Sequence, residues 1–112
     1  MRGGRAAYER RALVGEMLRV DLAGEAAAVE IYRGQEWALG ASSPLRATLA
    51  HMREGEEQHL RAVAALVAAH RARPTLLLPA WRAAGFALGA ATALMGREAA
   101  LACTVAVETA IS

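Results

Sequence analysis

Lysine is absent from these 112 residues; all thirteen basic side chains are arginines, set against eleven acidic ones for a net charge of +2. Aromatic residues make up only 4% and are not interleaved with the arginines, so neither the charge excess nor the stacking surface of a nucleic-acid binder is present. Cysteine occurs once, at Cys103. One thiol allows no internal disulfide and no cysteine-based zinc site, which points to a reducing compartment. Runs of β-branched residues are scarce, and an all-β fold is excluded. No long hydrophobic run is uninterrupted either. The most apolar stretch, Thr75–Gly96, is broken by Pro79 and Arg82, leaving thirteen residues from Ala83 to Met95 against the ~20 that a bilayer span needs. Met1–Arg11 is charged with no apolar segment behind it, so no signal peptide is expected.

What is present is a helix-forming composition. Ala, Leu, Arg and Glu dominate, and a 55% hydrophobic, 21% charged chain of this length supports one small domain with one core. The alanine and arginine excess reads as a coding bias of a GC-rich bacterial genome. Breakers divide the chain into three long helical stretches. The first is expected over about Ala6–Leu39 and ends at Gly40. Ser43, as cap, and Pro44, at the first helical position, open the second, which runs to about Arg71 before Pro74. The third begins near Pro79, is interrupted around Gly96 and continues to the end. Gly85, Gly89 and Ala93 recur every four residues, which permits close helix contact. The segment reads either as a buried or interfacial helix touching a membrane surface or as a plain core helix. Trp81 beside it is a packing anchor or an interfacial aromatic.

Three apolar stripes carry the chemistry. On the second helix, Leu45, Leu49, Met52, Glu56, His59, Val63, Leu66 and His70 alternate four–three spacing, the buried seam of a bundle helix with two polar residues at its centre. On the first, Val14, Leu18, Leu22, Glu25, Val29 and Tyr32 enclose Glu25. On the last, Leu101, Thr104, Glu108 and Ile111 enclose Glu108. Each of three helices therefore offers the core a carboxylate, and one adds an imidazole. A buried carboxylate without a partner costs several kcal/mol, and three aimed at one core raise one another's pKa. No arginine lies in the central stripes, so a metal ion is the simplest partner.

Glu56 and His59 stand three residues apart, about 4.5 Å along the axis, on one helix face. A Glu-x-x-His pair with a Glu from each neighbouring helix is the ligand plan of di-iron and di-manganese bundles, and such oxygen-rich sites suit iron or manganese better than zinc. Taken singly, Glu25 reads as a solvated residue and a lone Glu-x-x-His arises by chance; the weight lies in all four falling inside stripes. Glu9, Glu16, Glu30, Glu36, Glu54, Glu57 and Glu98 are expected on exposed faces, as is His51. His70 is expected at a helix end, and Cys103 and Met95 in core packing.

The runs LRVDLAGEAAAVEIYRGQ, MREGEEQHL and RPTLLLPAWRAAGFALGAATALMGREAALACTVAVE resemble the demethoxyubiquinone hydroxylase family of ubiquinone biosynthesis (the Coq7/Clk-1 family) over about Arg11–Ile111. The resemblance implies an all-α, ferritin-like four-helix bundle holding two iron ions, of which about three helices and an apolar crossover are present. Residues 1–112 would form a single partial domain, with 75–96 as the crossover. It implies a monooxygenase that hydroxylates the ring of a demethoxyubiquinol-type polyprenyl quinol with O2. Its metal ligands are carried onto Glu25 of D-x-A-G-E, the pair Glu56 and His59, and Glu108 of V-A-V-E. It further implies a peripheral protein at the cytoplasmic face of a bacterial membrane, contacting the lipid through Leu76–Met95; a homo-oligomer and a partner protein are both open alternatives.

Two departures stand out. Leu22 occupies a position where the family usually has His. The family also continues into a further helix with a second Glu-x-x-His, whereas this sequence stops four residues past Glu108, with three carboxylates and one histidine of the family's set. The chain alone is therefore not expected to assemble a stable two-iron centre. Two alternatives follow: a non-catalytic helical module binding quinone, lipid or a partner helix, or a dimer in which two copies each contribute Glu25, Glu56 and His59.

Overall fold

The computed structural model describes Arg2–Ile111, and among those residues the regular structure is entirely helical: α1 (Arg2–Ala38), α2 (Pro44–Ala69), α3 (Leu78–Met95) and α4 (Arg97–Ile111). This is the all-α architecture of a ferritin-like bundle, with the third stretch divided at Gly96. α1 has 37 residues, about 55 Å at 1.5 Å per residue, and sets the long dimension of a 62 × 21 × 21 Å molecule. The other three helices all pack against it.

The ends follow from the backbone. Pro44 opens α2 without an N–H to satisfy, and Ser43 precedes it in extended conformation; contrary to expectation, the Ser43 hydroxyl makes no capping hydrogen bond. α2 ends in a Schellman turn, in which the Ala72 N–H donates to the Val67 carbonyl (2.9 Å) and the Arg71 N–H to the Ala68 carbonyl (3.1 Å). Its left-handed residue is Arg71, φ 54°, where glycine would spare about 1–2 kcal/mol. Between α3 and α4, Gly96 at φ 123° adopts a conformation closed to side chains.

α1 and α3 meet backbone to backbone. A Cβ on Gly89 would overlap the Ile31 carbonyl, and one on Gly34 would overlap the Phe86 carbonyl. The expected small-residue stripe of α3 is therefore its buried face, Gly85, Gly89, Ala90 and Ala93. The core gathers Tyr32, Leu45, Leu49, Ala93 and Ala100. Fully buried Gln35 ties it together, its amide donating to the Ala100 carbonyl at 3.1 Å.

Burial departs from the stripes on all three helices that carry them. Val14 is exposed, and the buried face of α1 starts only at Leu22. The reason is level: Trp81, near the start of α3, meets Ala23 of α1, and Ile111 at the end of α4 lies beside Gly24. The α1 turns before that level have neither helix beside them. Leu66 and Leu101 are exposed as well, and Met95 lies on the surface instead of in the core. Trp81 anchors packing through its indole N–H, which donates to the Ala23 carbonyl at 3.0 Å, while the residue as a whole remains half exposed. No helix among the described residues is long and apolar enough to cross a membrane.

Candidate metal centre

Packing α1 between α2 and α4 brings the four stripe residues to one level. Donor atoms of Glu25, Glu56 and His59 all lie within 4.8 Å of one another. The His59 Nδ1 stands 4.0 Å from Glu25 Oε1 and 3.9 Å from Glu56 Oε2. Glu56 is buried, and one carboxylate oxygen on each of Glu25 and Glu56 is shut from solvent without a hydrogen-bond partner. His59 differs from expectation: its side chain is 71% exposed and closes the cluster from the solvent side.

Glu108 faces the same group from α4. Its Oε1 accepts a 2.5 Å hydrogen bond from the Tyr32 hydroxyl. Burial, then the carboxylates of Glu25 and Glu108, push Glu56 up to about 8. Burial, then the bond to Glu108, raise the Tyr32 phenol above its ordinary value, so this tyrosine remains a donor. The role of Tyr32 was not drawn from the stripe, although a signal was there. A tyrosine seven residues after Glu25, on the same apolar face, has a hydroxyl that must find a partner on burial.

Among the described residues no arginine pairs with Glu25 or Glu56. Arg53, the charged neighbour on α2, is committed elsewhere: its Nε donates to Glu36 at 2.6 Å and its Nη1 to Glu57 at 2.7 Å. Arg33 adds Glu30 and Glu57, each at 3.1 Å. Glu30, Glu36 and Glu57 are thus not on freely solvated faces as expected; they form an ion-pair ladder between α1 and α2. Arg53 and Arg33 hold the Glu57 carboxyl below its ordinary value. His51 is exposed, and the His70 ring lies at the end of α2 with Nδ1 3.0 Å from the Leu66 carbonyl.

Buried oxygens of Glu25 and Glu56 without a donor, beside an imidazole and with no protein cation among the described residues, fit a metal ion of the hard, oxygen-preferring kind. Leu22, one turn before Glu25, is buried and contributes only apolar surface. A cavity of about 260 Å³ lined by Val20, Asp21, Gly24, Glu25, Ala110 and Ile111 reaches the cluster between α1 and α4.

Residues 12–112 match the family described as ubiquinone biosynthesis protein COQ7. The chain is 57% identical over 100 residues to a 3-demethoxyubiquinol 3-hydroxylase of Rhodospirillum rubrum, covering 89% of this chain and 47% of that protein. It is 48% identical over 102 residues to the human NADPH-dependent 3-demethoxyubiquinone 3-hydroxylase, mitochondrial, covering 91% and 46%. The Caenorhabditis elegans protein of the same description is 41% identical over 107 residues, covering 96% and 57%. The chain thus spans about half the length of the curated relatives it matches.

Proposed function

Because this chain belongs to the COQ7 family of ubiquinone biosynthesis proteins, we propose that it supplies the metal-holding part of a monooxygenase acting on a polyprenyl quinol ring. In that reaction one atom of O2 enters a ring C–H bond and the other leaves as water, with two electrons and two protons from a reductant. The observation that carries the reading is the convergence of Glu25, Glu56 and His59 around carboxylate oxygens that no donor satisfies.

Glu25, Glu56, His59 and Glu108 would hold iron, two ions in the family's full ligand set. Iron held there would supply the one-electron chemistry without which ground-state O2 reacts poorly with a closed-shell ring. The residues of this chain do the remaining work. Glu56, protonated up to about pH 8, exchanges its proton for the cation. The Tyr32 hydroxyl occupies one lone pair of Glu108 Oε1 and fixes how that carboxylate is turned. Buried Leu22, Val29 and Leu49 form part of an apolar core that limits water. The cavity beside Glu25 is the entry for a quinol ring. A polyprenyl tail would lie along the apolar surface of Leu76–Met95, where Leu76 and Leu77 are exposed, with the protein resting on a membrane surface.

Anaerobic titration with Fe(II), Mn(II) or Co(II) tests the reading. Binding that disappears in Glu25→Gln and Glu56→Gln supports it. A chain that takes up no metal, or binds it equally well in both variants, overturns it and favours a helical module that binds quinone or lipid without catalysis.

A further inference from the structure

At the far end of α2, away from the carboxylates, a cleft of about 590 Å³ opens between α1 and the turn that leaves α2. Arg11, Arg19, Arg71 and Arg73 line it together with His70, and Glu16 is the one carboxylate on its wall. Among the described residues none of these four arginines forms a salt bridge. They are not arranged by chance fraying, because the walls are pinned. The Arg19 Nε donates to the Arg73 carbonyl at 2.8 Å, tying α1 to the linker. Arg71 holds the left-handed position of the Schellman turn, where glycine would be cheaper. A strained residue lining a cleft is a pointer to function.

Arg19 also lines a second, apolar notch of about 320 Å³, with Val20, Ala23, Thr75, Leu77 and Trp81. Beside it Leu76 is 97% exposed. A basic cleft and an apolar notch that share a wall suit an anionic group joined to an apolar body. We propose that the arginine cleft is a phosphate-binding site, its guanidinium groups taking the oxygens of a phosphate and the adjoining notch taking the apolar part of the same ligand. Guanidinium donors match phosphate oxygens in paired geometry, and four around one cleft favour an anion over a cationic ligand. The site is independent of the metal reading; only its lipid source rests on the proposed surface contact.

The test uses the whole chain with vesicles of phosphatidylcholine alone or with added phosphatidylglycerol, and separately with inorganic pyrophosphate. Arg71→Gly leaves the turn in a conformation glycine prefers, so the fold should be kept or stabilised; Arg73→Gln leaves the carbonyl that Arg19 uses. Binding to anionic vesicles that weakens by about fivefold in each variant and about thirtyfold in the pair supports the site and identifies a lipid headgroup as its source. Pyrophosphate binding lost in the same variants, without preference for anionic vesicles, supports the site with a soluble phosphorylated compound, and not a lipid headgroup, as its source. Equal losses in the distant variants Arg46→Gln and Arg61→Gln would show net charge at work and overturn it. So would binding to neither probe, or binding unchanged in the pair. Attachment to neutral vesicles, abolished by Leu76→Ser and Leu77→Ser, reports separately on the surface contact.

Discussion

Two clusters of carboxylates lie close together on α1 and α2, and the molecule treats them oppositely. Glu30, Glu36 and Glu57 are partly buried and fully answered by Arg33 and Arg53. Glu25 and Glu56 are buried to a similar depth beside a single exposed imidazole, and among the described residues neither pairs with an arginine; Glu108 joins them from α4. Burial alone therefore does not separate the two clusters; the supply of protein cations does. Where guanidinium is present the acids stay ionised, as the lowered Glu57 shows, and where it is withheld the acid at the centre holds its proton to about pH 8.

The sharpest way to break this contrast is to remove one acid from each cluster. Glu56→Gln should weaken Fe(II) or Co(II) binding by at least about a hundredfold, beyond the usual effect of outer-shell changes. Glu57→Gln should leave it unchanged by calorimetric titration. Equal effects would mean that the clusters are not different in kind. Next in size, Tyr32→Phe deprives Glu108 of its donor and should lower affinity by about 10- to 100-fold, with an altered Co(II) absorption spectrum as the sign that the ligand has turned.

pH gives a third comparison. The folded Glu56 has its pKa raised above the unfolded value of about 4.5, so the native state binds the extra proton. With chelator present, stability should be greatest below about pH 4.5 as far as this group is concerned and fall as pH rises through about 8. Metal affinity should run the other way, rising by up to about tenfold per unit until about pH 8. Denaturant titrations at pH 6 and 9 would show the slope, and Glu56→Gln should flatten it. The smallest effect belongs to the arginine ladder: Arg53→Gln should cost about 1–2 kcal/mol of stability and leave metal binding alone.

The sequence-level reading of the stripes found the four ligand candidates because a carboxylate inside an apolar face is visible without coordinates. It placed the helices and their breaks for the same kind of reason, since Gly40, Pro44, Pro74 and Gly96 act locally. What it missed depends on neighbours. Periodicity says which face Glu36 occupies, but not that Arg53 on another helix reaches it. It counts Val14 with the core because it cannot know that α3 and α4 come alongside only near Ala23 and Gly24. His59 lies in the α2 stripe, and only the packed helices reveal that nothing covers its outer side.

The meeting of α1 and α3 through Gly34 and Gly89 has a mechanical consequence. Interleaved side chains can slip past one another by changing rotamer, whereas a backbone seated in a glycine notch cannot slide one residue without driving a Cβ into a carbonyl. The pair therefore behaves as a single stiff beam with its register locked. A load applied at Leu76 and Leu77 would reach the level of the carboxylates as a rigid tilt, and not as a sliding of α3 along α1.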